Sequence, residues 1–173
     1  MDKNILITGR PRTGKSTLIS KLIEFLKLKG KKIGGILTPE IKEKSRVGFK
    51  IIDIGSGKEG ILAHVNQKNG PRISKYRVNM DDLENIGVNG IKSAISNSDI
   101  IIIDEIGKME LFSKEFCNVI LEAIDEKKVV GTIGYNLSHP IADQIIKRKD
   151  IELIVLTIQN RDDMTIYLKN KIN

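Results

Sequence analysis

The chain has 173 residues, of which 40% are hydrophobic and 29% charged, with a net charge of +7 at pH 7. These figures fit one soluble globular domain. They come with no apolar run near the roughly 20 residues a membrane helix needs, no signal-peptide pattern behind Met1, and a single cysteine, Cys117. A disulfide framework and a cysteine-based zinc cage are therefore excluded, and a cytoplasmic location without membrane association is expected. Aromatics reach only 4% and Trp is absent, so the core must be built from Ile, Leu and Val.

In chain order, Asn4–Thr8 reads as a short buried strand ending at Gly9. Ser16–Lys29 repeats apolar residues at helical spacing and stops at Gly30. Lys32–Thr38 predicts a second strand, closed by Pro39. Val47–Ile54, Ile61–Val65 and Ile73–Asn79 are short extended runs between Gly-rich turns, which predicts a small antiparallel insertion over about residues 45–80. Asp81–Ser96 returns to helix, weakened by Gly87 and Gly90. Asp99–Ile106 predicts a strand buried on both faces, Ser113–Lys127 an amphipathic helix, and Val129–Ile133 a further strand. Ser138 is placed to cap a helix with Pro140 in its first turn, running to Lys149. Ile151–Thr157 and Asp162–Ile172 complete the series as strand and helix. This alternation implies an α/β fold with a mainly parallel sheet and helices on both faces.

Gly9-Arg10-Pro11-Arg12-Thr13-Gly14-Lys15-Ser16 matches G-x-x-x-x-G-K-[ST] between a predicted strand and a predicted helix, the setting a phosphate-binding P-loop requires. The glycines allow a sharp turn that brings backbone N–H groups close to an anion. The helix N-terminus adds its dipole and unpaired donors. Lys15 is expected to reach the β- and γ-phosphates, Ser16 to ligate Mg²⁺, and Thr17 to touch the α-phosphate.

The apolar run Ile100–Ile103 leads into Asp104-Glu105 and resembles a Walker B strand, with acids at the carboxyl end where ligands bind in open α/β sheets. Asp104 is placed to hold Mg²⁺. Glu105 can polarise the attacking water as general base, which favours hydrolysis over transfer to a second substrate. Lys15 and Glu105 are thus the expected catalytic residues.

Asp104-Glu105-Ile106-Gly107-Lys108-Met109-Glu110-Leu111-Phe112 resembles the extended Walker B motif of the THEP-type nucleoside-triphosphatases, a family that includes the animal cancer-related nucleoside-triphosphatase. Gly34–Glu40, Arg46-Val47-Gly48-Phe49, Gly131-Thr132-Ile133 and Thr157–Asp162 resemble other family segments in order and spacing. The resemblance covers nearly the whole chain. It implies a three-layer, RecA-like P-loop fold and Mg²⁺-dependent hydrolysis of ATP, GTP, CTP, UTP and TTP with broad base tolerance. By the same resemblance, the backbone of Ile100, Ile101, Ile102, Ile103, Asp104, Glu105, Ile106 and Gly107 would join the nucleotide site. The family loop commonly carries a second Gly where this chain has Arg12, which puts an extra cation close to the phosphates.

Charge developing on the γ-phosphoryl group calls for a further cation. Arg10, Arg12, Arg46, Arg148 and Arg161 are the candidates. Asn160 and Arg161 follow the last predicted strand and would contact base or ribose, or else cap a loop. Glu40 would position water or metal, or serve as a turn carboxylate. Lys108 and Glu110 lie just beyond the acidic pair. His64 and His139 lack partners at metal-ligand spacing and read as structural. A phosphoryl-transferring kinase would be expected to carry an Arg-rich lid, and none is evident. No aromatic-studded basic groove is visible, so a nucleic-acid partner is not expected, and the chain is expected to be monomeric.

Overall fold

A computed structural model of the protein describes residues 2–126 and 128–172. The strands are β1 (Asn4–Thr8), β2 (Ile33–Leu37), β3 (Glu40–Lys42), β4 (Arg46–Asp53), β5 (Glu59–His64), β6 (Arg72–Ile73), β7 (Tyr76–Val78), β8 (Ile100–Ile106), β9 (Val129–Ile133) and β10 (Ile151–Val155). The helices are α1 (Lys15–Leu28), α2 (Met80–Asp82), α3 (Asn89–Asn97), α4 (Lys114–Asp125), α5 (Pro140–Ile146) and α6 (Arg161–Lys171), with a π-helical turn (Leu83–Val88) joining α2 to α3.

All described strands form one sheet in the order β10-β1-β9-β8-β2-β4-β5-β7-β6, with β3 paired beside β4. The first five neighbours, β10 to β2, run parallel. From β4 onward the pairing is antiparallel. The insertion is therefore not a separate sheet: β4 pairs directly with β2 and widens the parallel core.

Strand residues alternate between two cores, as the two-residue period requires. Ile5, Ile7, Ile100, Ile102 and Val130 pack with Leu18, Ile19, Leu22 and Leu26 of α1 and Leu168 of α6. Leu6, Ile101, Ile103 and Val129 pack on the other face with Ile91 of α3, Ile120 of α4 and Ile145 of α5. Helices on both faces of one sheet make the three layers the sequence implies.

Local differences from the sequence reading have local causes. The helix expected over Asp81–Ser96 is present, but its middle is π-helical, with Gly87 on the seam. A Cβ on Gly87 would lie 2.7 Å from Ile51 Cδ1, so the residue that weakens the helix lets it seat on β4. The run Ile73–Asn79 is in part a tight hairpin, β6 to β7, turned at Ser74 with φ 55°. The next-to-last helix is capped by His139, whose Nδ1 accepts from Ile141 N–H at 3.2 Å, and it ends at Ile146 instead of Lys149. Ser113 caps α4 by accepting from Phe116 N–H at 3.1 Å. Lys127, the last residue of the helix expected there, lies outside the described residues.

Candidate functional site

The loop between β1 and α1 wraps tightly at the carboxyl edge of the sheet. Gly9 and Gly14 take φ of 154° and 99°, and Arg12 sits between them at φ 65°. The residue standing where the resembling loops carry Gly thus adopts the conformation Gly favours. Thr13 Oγ1 donates to the Arg10 carbonyl at 3.0 Å and braces the loop from within. Lys15 Nζ donates to the carbonyls of Gly9 and Arg10, at 2.7 and 3.2 Å, and so spans the loop. No side chain caps α1, which leaves its first N–H groups facing the loop.

β8 delivers the acids, two strands away from β1 with β9 between them. The β8–β9 register shifts between Ile103 and Ile106, and the Asp104–Glu105 peptide is cis. Asp104 is buried and accepts a hydrogen bond from Thr132 Oγ1 of β9 at 2.8 Å. Its carbonyl accepts from Thr38 Oγ1 at 2.6 Å. Burial raises the Asp104 carboxyl above its ordinary range, against opposing pulls from the Thr132 hydroxyl and the Lys15 charge. Glu105 is raised by burial and by the negative charge of Asp104, and Lys15 again opposes the shift. Glu110, in the 3-10 turn Glu110–Phe112, is fully buried and pushed up to about 8, by desolvation first and then by Glu105.

Loop and acids face one another across a cleft of about 1850 Å³ lined by Gly9, Pro11, Arg12, Gly14, Lys15, Ser16, Thr17, Asp104, Glu105 and Gly107. Lys108, Glu110 and Arg161 also line it. A smaller recess of about 250 Å³ opens on the other side of the loop, between Arg10, Thr13, Tyr135 and the segment from Val155 to Gln159.

The structure does not bring every expected residue to the cleft. Ile100, Ile101, Ile102, Ile103 and Ile106 send their side chains into the two cores and do not line the cleft, which leaves only their backbone for the part the resemblance implies. Asn160 closes its own turn: its Oδ1 accepts from Thr157 N–H at 2.8 Å and its Nδ2 donates to the Val155 carbonyl at 3.0 Å. Arg161 reaches the loop, its Cδ 3.7 Å from where a Cβ on Gly14 would lie. Arg148 pairs with Asp125 and Asp150 at the far end of α5. Arg46 lines the cleft but is engaged by the Glu40 carboxylate at 2.8 Å and the Tyr76 hydroxyl at 3.1 Å, with its guanidinium over the Phe49 ring. Glu40, the first residue of β3 and itself on the cleft wall, is correspondingly held low by Arg46 and Lys42.

No motif in the sequence marks Thr132 and Thr38 as the partners of Asp104. A hydroxyl at the carboxyl end of β9 was the available signal, and it depends on knowing that β9 lies beside β8.

Comparisons with known proteins bear on the family and the fold. A family model described as NTPase matches residues 4–172. Relatives named nucleoside-triphosphatase THEP1 include that of Thermofilum pendens, 43% identical across 98% of this chain and 95% of its own length. The relative from Thermotoga sp. strain RQ2 is 46% identical across 92% of this chain and 90% of its own. The crystal structure of THEP1 from Aquifex aeolicus superposes with a TM-score of 0.87 at 33% identity, covering 98% of this chain and 99% of that one. The solution structure of a human cancer-related nucleoside triphosphatase gives 0.81 at 29% identity, covering 99% and 97%. Sequence and fold agree over almost the full length, and the chain belongs to the THEP1 nucleoside-triphosphatase family, as a nucleoside-triphosphate phosphohydrolase.

Proposed function

We propose that the protein hydrolyses ATP, GTP and other nucleoside triphosphates to the diphosphate and phosphate in a Mg²⁺-dependent reaction, with little preference for the base. The observation that carries this reading is the convergence of Lys15, Ser16, Asp104 and Glu105 on one cleft. The oxygen donors suit the ion: the Ser16 hydroxyl and the Asp104 carboxylate are hard ligands, and Mg²⁺ ordinarily completes its shell with phosphate oxygens and water. When bound, the ion supplies neutralising charge for the phosphates.

The remaining chemistry belongs to the chain. Backbone N–H groups of the loop and the head of α1 cradle the phosphate oxygens, and Lys15 turns from the Gly9 and Arg10 carbonyls to the terminal phosphates. Thr132 orients Asp104 through its Oγ1 hydrogen bond. Glu105 accepts a proton from water as the water oxygen bonds to the γ-phosphorus and the bond to the β–γ bridging oxygen breaks. Burial raises its proton affinity above that of an ordinary carboxylate, which makes it the stronger base. Arg161, beside the loop, is placed to add positive charge or to meet the ribose. The recess beyond the loop offers Tyr135, Val155, Leu156 and Ile158 as an apolar face on which any base can rest, beside the polar side chains of Arg10, Thr13, Thr157 and Gln159.

The test is phosphate release from Mg-ATP, Mg-GTP and Mg-CTP without nucleic acid or acceptor, with a chelator control, beside Glu105→Gln. Turnover in the variant should fall about 10²-fold or more while nucleotide binding stays intact. Equal turnover in variant and parent would falsify the general-base assignment.

A further inference from the structure

Glu110 is a fully buried carboxyl to which the reaction above gives no task. It lies six residues beyond Asp104, yet the chain doubles back through the turn at Gly107. Leu111 N–H bonds the Gly107 carbonyl at 3.1 Å, and Ser113 N–H bonds the Glu110 carbonyl at 3.1 Å, which fixes that turn. The result is a side chain aimed at the end of β8. A Cβ placed on Gly107 would meet Glu110 Oε2 at 2.8 Å and Glu105 Oε1 at 3.6 Å, so the two carboxyls converge on one point beside Gly107. The backbone amides of Glu110 itself and of Gly107 oppose the upward shift of the Glu110 carboxyl.

The charges around it are one-sided. Glu105 and Asp104 act on it from β8. Lys15 of α1 acts on those two acids, and no ion pair holds Glu110 itself among the described residues. Glu84 of the π-helical turn comes near the same loop only through Ser113, whose Oγ donates to Glu84 Oε1 at 2.8 Å. Lys108, two residues away, is exposed on the cleft. A buried carboxyl with two acidic neighbours and no cation of its own is strongly disfavoured as an anion.

We propose that Glu110 is a positioning residue for hydrolysis: as a neutral carboxylic acid wedged behind Glu105, it holds the Glu105 side chain toward the cleft and keeps a second negative charge away from it. The inference rests on Glu105 being the group that activates water. Glu110 borders the cleft but is almost wholly buried, and it acts through its neighbour. Because its burial holds the proton up to about pH 8, the arrangement works through neutral pH. At higher pH, ionised Glu110 would crowd Glu105 with like charge.

The experiment compares Glu110→Gln, Glu110→Ala and Glu105→Gln in Mg-ATP hydrolysis across pH 6 to 9.5, with thermal melting and binding of a non-hydrolysable ATP analogue alongside. Gln keeps the shape and the neutral donor. Glu110→Gln should therefore stay within about threefold of the parent kcat at neutral pH and hold its rate above about pH 8, where the parent declines. Glu110→Ala should lose about tenfold in kcat with KM and analogue binding unchanged. If Ala prevents folding, the alkaline limb of Glu110→Gln decides. The inference is overturned if that limb matches the parent's, or if Glu110→Gln falls as far as Glu105→Gln, because an ionised Glu110 would then be required. Full activity in Glu105→Gln would overturn the underlying base assignment, a result visible whatever the Glu110 variants do.

Discussion

Arg12 holds a left-handed backbone position of the kind glycine adopts most readily. An L-residue in the left-handed region costs about 1–2 kcal/mol, and Arg12 at φ 65° bears that cost on an exposed side chain with no packing to repay it. Arg12→Gly relieves the strain but adds about 0.5–1 kcal/mol of freedom to the unfolded chain. The variant should therefore gain about 0.5–1 kcal/mol, readable by urea denaturation; a loss would show that the guanidinium contributes a stabilising contact. Glu110 carries a second residue-scale expectation. Its folded-state affinity for a proton is raised from 4.5 to about 8. The stability that follows is fully present below about pH 4.5 and is lost as pH rises through about 8. The melting temperature of Glu110→Gln relative to the parent should rise over that window and level off above it, and a flat difference would contradict the assignment. At this scale the sequence was legible where a residue's place is set by chain neighbours: Lys15 and Ser16 line the cleft at the head of α1. It was opaque where the partner comes from another strand. Thr132 meets Asp104 only because β9 lies beside β8, and Glu110 meets Glu105 only because the turn at Gly107 folds back.

Among the elements, periodicity located the parallel strands and the long helices to within a residue or two, because each buries a face that hydrophobic spacing reports. It missed β3, a three-residue strand with a single apolar side chain, whose pairing to β4 is fixed by backbone bonds. The insertion reads correctly as antiparallel, but the direct β2–β4 pairing that joins it to the core is a matter of topology, not of pattern. Within the core, β2 and β8 approach closely. A Cβ on Gly35 would lie 1.9 Å from the Ile102 carbonyl oxygen, and its φ is 103°. No flexible side chain can yield there, since the obstacle is backbone. Gly35→Ala should therefore cost about 3 kcal/mol or more, measured as a drop in the urea midpoint with little change in slope.

At the scale of the whole molecule, both cores share the same strands, residue by residue in alternation, so disturbing one face disturbs the other. The cleft at the carboxyl edge inherits that rigidity. Its two walls stand on β1 and β8, held apart by one intervening strand. Neighbouring strands are spaced about 4.8 Å apart, so the backbones of β1 and β8 run roughly 10 Å from each other, and the loop and the acids reach toward one another from those two strands. On the proposed roles, the sheet then behaves as a fixed-gauge caliper. A chain of three phosphates anchored at the loop can place its last phosphorus opposite Glu105, whereas a chain of two, anchored at the same end, stops short. Discrimination between substrate and product would thus include a measurement of length built into strand order, beside the charge contacts that Lys15 makes to the terminal phosphates. Mg-ADP should accordingly bind at the loop and release no phosphate over times that exhaust Mg-ATP, and steady phosphate release from Mg-ADP would show that the gauge does not hold.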